Sequence, residues 1–279
     1  MRVLVVGGMN LDLLGWPGQP LLPRDSTPGR IVSRPGGVGR NIAARLAALG
    51  AEVSLLTVLG DDAWARLLTE ACARDGIDLS LSLKTACPSP CYLCVHDEQG
   101  DMLAGVNDMR ALEALTPQAL EARLPTLAGF DGCVLDANLA PDTLAFAARH
   151  IPLPLILDPV SVAKAGRVQP LLNRLAAIKP NLMEAEALTG CQGAPAAAER
   201  LLASGVRRVF ISLGAEGVYY ADAESRGRLP AQPLPARPLT GAGDAFCAGM
   251  TRALLSGKAT ADCARDGLAA AYDALCAAF

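Results

Sequence analysis

Along this chain, short runs of aliphatic and β-branched residues that stop at glycine or a polar residue alternate with longer stretches whose apolar positions recur every three or four residues. The first pattern suits buried strands and the second amphipathic helices. "RVLVVGG" (2–8) and "EVSLLTVLG" (52–60) predict strands, and between them "GRNIAARLAALG" (39–50) predicts a helix closed by glycine. "DAWARLLTEACARDG" (62–76) predicts the next helix. Further along, "GCVLDAN" (132–138), "PLILDPV" (154–160), "LAAIKPN" (175–181) and "RVFISLG" (208–214) each supply a strand. Helical stretches such as "PDTLAFAARH" (141–150), "PNLMEAEALTG" (180–190) and "APAAAERLLASG" (194–205) fall among them. Strands separated by helices predict an α/β fold, a doubly wound and mostly parallel sheet flanked by helices. In such a sheet the ligand crevice lies beyond the carboxyl ends of the strands.

Two segments break this rhythm. Residues 11–34 are rich in proline and glycine, and 79–106 alternate around a "DEQGD" turn; neither has a helical period. Both are expected to form a small β-sheet lid over the strand ends, able to close on a ligand and exclude water. The 279 residues carry no internal repeat and no long polar spacer, so a single domain over 1–279 with these two lid segments is the expected organisation.

Composition narrows the function classes. Hydrophobic residues make up 51% of the chain and aromatics only 4%, a bias toward Ala, Leu and Val that suits helices and buried strands. Charged residues, glycine or proline interrupt every apolar stretch before the roughly 18 residues a spanning helix needs. The opening apolar run is short for a signal peptide and lacks a small-residue cleavage site. A cytoplasmic location without a membrane partner is the expectation. Net charge is -3 and the basic residues are scattered, which excludes a nucleic-acid stripe. Of nine cysteines, Cys72, Cys133, Cys247, Cys263 and Cys276 sit in apolar segments and read as small buried hydrophobes in a reducing compartment. Cys87, Cys91 and Cys94 cluster near His96, but without a second pair they read as a strand that carries thiols.

One stretch carries chemistry of its own. In "TGAGDAFCAGM" (240–250), Gly241, Ala242 and Gly243 lack bulk, so their amides are free to converge on an anion where a helix begins, and the helix adds its positive end. A carboxylate in that turn, Asp244, would repel a phosphate but is suited to take the proton of a hydroxyl attacking one. The competing reading is that Asp244 caps the helix.

The ordered set "VVGGMNLD" (5–12), "RPGGVGRN" (34–41), "KPNLMEAE" (179–186) and "TGAGDAFCAGM" (240–250) resembles the signatures of the ribokinase-like (PfkB) carbohydrate kinases, across nearly the whole chain. The resemblance implies a helix-flanked sheet with a β lid, ATP and Mg²⁺ as co-substrates, and transfer of the γ-phosphate to a primary hydroxyl. No G-x-x-x-x-G-K-[ST] loop is present, so the glycine turn is the phosphate device that remains. By this resemblance Asp244 is the catalytic base and Gly241, Ala242 and Gly243 form the anion hole. Asn10 and Asp12 would grip sugar hydroxyls, with Gly36, Gly37 and Asn41 as the second sugar-binding motif. Asn181 and Glu184 match an N-x-x-E motif that organises Mg²⁺ through water, Asn181 also lying near the nucleotide. Ser212, Gly214 and Gly217 match the loop along the nucleotide. That stretch, "ISLGAEGVYY" (211–220), reads equally well as a structural hairpin.

"VNDMRALEALTP" (106–117) and "DPVSVAKAG" (158–166) are similar to the branch of the family that phosphorylates the ribose 5′-hydroxyl of the C-nucleoside pseudouridine. Asn107 and Asp108 would then face substrate from the lid, and Lys164 would lie beyond a strand end near the phosphates or base. Asp108 also reads as a helix cap and Lys164 as a surface charge. Two departures stand out. Pro238, Leu239 and Thr240 replace the Asp-Thr-Thr of typical ribokinases, which puts monovalent-cation activation in doubt, and the chain ends at "LAAAYDALCAAF" (268–279), soon after the helix that follows the glycine turn, which would abbreviate the expected adenine pocket. The alternatives are another sugar or nucleoside kinase (ribokinase, fructokinase or adenosine kinase type) and a catalytically silent nucleoside-binding protein. The apolar strands of the lid suggest a homodimer formed through it.

Overall fold

The computed structural model describes residues 1–22, 24–233 and 241–277. The chain opens with β1 (Arg2–Val6), then an antiparallel pair, β2 (Asn10–Pro17) and β3 (Gly29–Gly36), before helix α1 (Val38–Ala48) leads to β4 (Glu52–Leu56) and the short β5 (Val58–Leu59). Helix α2 (Ala63–Arg74) is capped by Asp62, whose Oδ1 accepts from the Ala65 amide at 2.8 Å, and runs to β6 (Ile77–Asp78) and β7 (Leu83–Lys84). Strands β8 (Cys91–His96) and β9 (Met102–Asp108) precede α3 (Pro117–Glu121), β10 (Gly132–Asp136), α4 (Pro141–His150) and β11 (Leu155–Asp158). The rest comprises α5 (Val162–Ala165), β12 (Leu175–Ile178), α6 (Leu182–Thr189), α7 (Ala194–Ala203), β13 (Val209–Ser212), β14 (Val218–Ala221), β15 (Arg226–Leu229), α8 (Ala242–Leu255) and α9 (Thr260–Ala277).

Nine strands form one sheet in the order β15-β14-β13-β12-β11-β10-β1-β4-β6, parallel from β13 to β6 with an antiparallel hairpin at the other edge. Both faces are covered, as the near-continuous apolar runs require. Along β1, Leu4 and Val6 enter one buried cluster with α4 and α7, whereas Val3 and Val5 enter the other with α1 and α8. The α/β, mostly parallel, helix-flanked fold read from the periodicity is therefore the fold observed. Among the described residues no helix is long and apolar enough to cross a membrane.

Connections run from β1 to β4 and β6 in one direction and from β10 to β13 in the other, so the order reverses between β1 and β10. A crevice opens where neighbouring crossovers diverge in this way. A second sheet, β3-β2-β8-β9, uses residues 10–36 and 91–108. β7, within the 79–106 stretch, pairs instead with β5 in a separate two-stranded ladder. In the second sheet Asp12 aligns with Arg34, Tyr92 and, one strand further, Asn107, while the adjacent row aligns Ser33, Leu13, Leu93 and Val106.

Helices α8 and α9 pack so closely that small residues are obligatory. A Cβ on Gly249 would lie 2.6 Å from the Asp266 carbonyl oxygen, and one on Gly267 would lie 2.7 Å from the Phe246 ring. Gly249→Ala is expected to overpack this contact and to cost about 1–3 kcal/mol. Urea unfolding checks it, through a lowered midpoint at unchanged slope.

Candidate active site

The site is assembled at the β1/β10 reversal. β10 ends at Asp136, whose side chain is fully buried. Its Oδ2 accepts from the amides of Gly8 and Gly39, each at 2.8 Å, and its Oδ1 accepts from the Asn138 amide at 2.9 Å. Burial pushes this carboxyl up, against the hydrogen bonds from Gly8 and Asn138 that favour its ionised form. Two glycine loops cross over it. Gly37 has φ 95°, and a Cβ there would lie 2.5 Å from the Gly8 carbonyl oxygen; one on Gly39 would lie 2.9 Å from the Gly7 carbonyl carbon. Only glycine lets the β1–β2 and β3–α1 loops touch at this point.

That crossing delivers the polar residues. Asn10 is buried and donates Nδ2 to Asp12 Oδ1 at 2.7 Å, with Arg34 Nε near the other carboxylate oxygen at 3.4 Å. Gly36 stays bare because a Cβ would sit 2.5 Å from Asp12 Oδ1. Asn41, in the first turns of α1, donates Nδ2 to Asp244 Oδ2 at 2.9 Å. Residues from the first strand pair, α1 and α8 are thus brought together although 203 positions separate Asn41 from Asp244.

Asp244 lies in the first turn of α8, which starts from Gly241 in the left-handed region at φ 85°. Among the described residues no atom lies within 4 Å of where a Cβ on Gly241 would stand. Among the described residues, the hydrogen-bond partner of the Asp244 carboxylate is Asn41 on another element, so the helix-cap reading does not describe it. Its side chain is partly exposed, yet burial and the nearby Asp158 charge push it up to about 7, opposed by Asn41 and Lys179 and helped by Asp136. Lys179 and Asp158 form a buried ion pair, Nζ to Oδ2 at 2.9 Å. Burial works against the Lys179 ammonium, but Asp158 above all holds it above the ordinary lysine value.

Lys164 on α5 is half-buried, not a surface charge, and donates Nζ to Asn138 Oδ1 at 2.6 Å, beside the Asp136 crossing. Burial draws its pKa down, Asp136 partly restoring it. Asn107 is exposed on β9, in register through Tyr92 with Asp12. Asp108 fits the local reading better: Arg110 donates Nε and an Nη to it at 2.9 and 2.6 Å and its own amide at 3.2 Å, and these bonds bring the carboxyl down to about 2.

On the other flank Asn181 and Glu184 form a reciprocal capping box at the start of α6. Glu184 accepts from the Asn181 amide and Nδ2, both at 2.9 Å. Burial pushes the Glu184 carboxyl up. With both oxygens engaged, the pair suits an ion that keeps its own waters better than direct ligation. Among the described residues no group of three or more His, Cys, Asp or Glu could cage a metal. Asn181, Ser212 and Gly214 line an open groove of about 540 Å³ with Met183, Tyr219 and Arg228. Gly217 has a hairpin reason to be glycine, since φ is 98° and a side chain would strike the Leu229 carbonyl. All nine cysteines are free, with Cys91 and Cys94 buried in the second sheet and Cys87 exposed. Pro238, Leu239 and Thr240 lie outside the described residues.

Asp136, Asn138, Asp158 and Lys179 were not singled out from the sequence. The signal was there: each is a polar residue that ends or follows an apolar run destined for a parallel strand.

The helix-flanked parallel sheet with its small second sheet thus carries a glycine turn at the start of α8 with a carboxylate in it. The pfkB family carbohydrate kinase model matches residues 1–275, and the chain belongs to that family. The pseudouridine kinase of Escherichia coli (strain K12) is 33% identical over 272 residues, 94% of this chain and 87% of that protein. Ribokinase from Thermotoga maritima superposes with TM-score 0.88 at 25% identity, covering 97% of this chain and 91% of that one. A carbohydrate kinase from Agrobacterium tumefaciens gives TM-score 0.86 at 28% identity, over 97% and 89%.

Asp136→Asn would turn an amide donor toward backbone N–H groups that need an acceptor. A loss of about 1.5–3 kcal/mol is expected, read from the urea midpoint.

Proposed function

We propose that this chain is an ATP-dependent kinase that phosphorylates the ribose 5′-hydroxyl of pseudouridine, giving pseudouridine 5′-phosphate and ADP. The observation that carries the kinase reading is Asp244, partly exposed in the first turn of α8, held by Asn41 and pushed up to about 7. A base with that affinity for a proton accepts one near neutral pH and still returns it afterward. The similarity to a pseudouridine kinase, together with the Lys164–Asn138 pair beside the Asp136 crossing, supports this acceptor.

In this reading Asp12 and Asn10 hold the ribose hydroxyls, with Gly36 and Gly37 giving the sugar room and Asn41 fixing the base. Asn107 approaches from the lid, and Asp108, engaged by Arg110, contributes only through that lid edge. Lys164 faces the nucleobase end. Asp244 takes the 5′-hydroxyl proton as the bond to phosphorus forms, while the amides around Gly241, Ala242 and Gly243 receive the phosphoryl oxygens. Asn181, Ser212 and Gly214 line the ATP groove, with Gly217 shaping its hairpin. Mg²⁺, held through water by Asn181 and Glu184, would neutralise phosphate charge.

The second sheet is the lid, and its outward row supports a homodimer. Val106, 67% exposed, pairs with Leu93, which pairs with Leu13, and Ile31, 78% exposed, stands two residues along β3 from Ser33, the partner of Leu13. Exposed apolar surface of this kind is normally covered by a partner. Sedimentation equilibrium is expected to show a dimer for the native chain and a monomer for Val106→Asp.

Coupled ADP release across pseudouridine, uridine, adenosine, ribose and fructose tests the acceptor, with the highest kcat/KM expected for pseudouridine. A different preferred acceptor would assign another kinase of this family, and nucleoside binding without any turnover a silent binder. Asp244→Ala is expected to lower kcat about 10²–10⁴-fold with substrate binding largely kept.

A further inference from the structure

Asp244 is not the lone charge at the strand ends. Asp136 ends β10, Asp158 ends β11 and Lys179 follows β12, so three neighbouring parallel strands carry charged groups at their carboxyl ends. The Lys179 and Asp158 side chains are only 7% and 5% exposed and lie 2.9 Å apart. The ammonium also abuts α8, because a Cβ on Gly243 would stand 3.1 Å from Lys179 Nζ. Gly243 does not have a positive φ, so its backbone does not demand glycine; the space it leaves is where the lysine head sits. A buried ion pair is weak as a stabilising device, since desolvation offsets much of its attraction.

We infer that Lys179 and Asp158 act as positioning residues that set the ionisation of Asp244, and with it the pH range in which this carboxylate serves as a base. The inference rests on the reading of Asp244 as that base. The groups that face Asp244 are Asp158 from β11, Asp136 from β10, Lys179 after β12, Cys247 one turn along α8 and the neutral amide of Asn41 from α1. Arg40, beside Asn41 on α1, is engaged by Asp75, and Glu184 of α6 acts on the Lys179–Asp158 pair. Asp158 and Asp244 thus share the Lys179 ammonium, while the ammonium near Asp136 is that of Lys164. Lys179 favours the ionised form of Asp244 and Asp158 opposes it, so the two members of the pair pull in opposite directions.

The signs follow. Asp158→Asn removes the opposing charge and leaves the ammonium, so Asp244 holds its proton less tightly and the acid limb of kcat/KM moves to lower pH. Lys179→Met removes the favourable charge and leaves Asp158, so the limb moves to higher pH. Each shift is expected to be about one unit or more, from a wild-type limb near 7. Lys179→Arg keeps the charge and is expected to return the limb toward the wild-type position. The same pKa changes are read without turnover by ¹³C NMR titration of the side-chain carboxyl carbons in the substrate-free enzyme, assigned with Asp244→Asn.

Opposite shifts support the inference. Unmoved titrations, or shifts of the same sign in both variants, overturn it. Where Lys179→Met does not fold, Asp158→Asn decides alone: a fall supports the inference, and no change or a rise overturns it. If no acceptor is phosphorylated, the kinase reading fails while the NMR titration still decides the role of the pair.

Discussion

One fully buried carboxylate, Asp136, fixes where the two halves of the site meet. It satisfies backbone amides from the β1–β2 loop and from the start of α1, which would otherwise be orphaned where the two loops cross. The glycines at 7, 8, 37 and 39 follow from that crossing, since each is pressed against the other loop or against the side chains of Asp136 and Asn138. From this point β2 carries Asn10 and Asp12 outward on one side, and α1 carries Asn41 to Asp244 on the other. The placing of Asn10 and Asp12 relative to Asn41 and Asp244 therefore depends on this glycine crossing.

The parallel sheet contributes in a second way. Its strands are apolar along their length and become polar only at their carboxyl ends, so charge collects at one edge of the core. Three carboxylates gathered there would repel one another if all were ionised and unpaired. Lys179 neutralises one, the amides around Asp136 stabilise another, and the third, Asp244, is left with a proton affinity close to neutrality. The raised proton affinity of Asp244 is thus a product of burial and of the carboxylate beside it.

Much of this was readable in the residues, for physical reasons that differ from element to element. The runs in β1, β10, β11 and β13 announce themselves because a parallel strand buried on both faces has no polar positions to confuse it. Gly241, Ala242, Gly243 and Asp244 were legible because four such residues at the head of an apolar helical run have few uses. Asp136, Asp158 and Lys179 were harder, since a polar residue at a strand end is ordinary and its burial depends on which strands become neighbours. Sheet order, with β10 beside β1, is a tertiary outcome that spacing does not record. Asp108 shows the converse: its place beside Asn107 suggested a substrate contact, and the residue two positions on, Arg110, claims the carboxylate.

The absence of a P-loop lysine from the sequence looks at first like a deficit of positive charge for a chain in a kinase family. The fold supplies that charge from elsewhere. Gly241 opens α8 in a left-handed conformation, and the amides of a helix's first turn, which have no partner within the helix, stand at its positive end. Lys179 adds a full positive charge against the same turn, from a strand end instead of the loop itself. Because that ammonium is paired to Asp158 and enclosed, it cannot swing out to grip a phosphate as a flexible lysine would. Its effect is confined to the field it imposes on Gly243, Asp244 and whatever occupies the space before them.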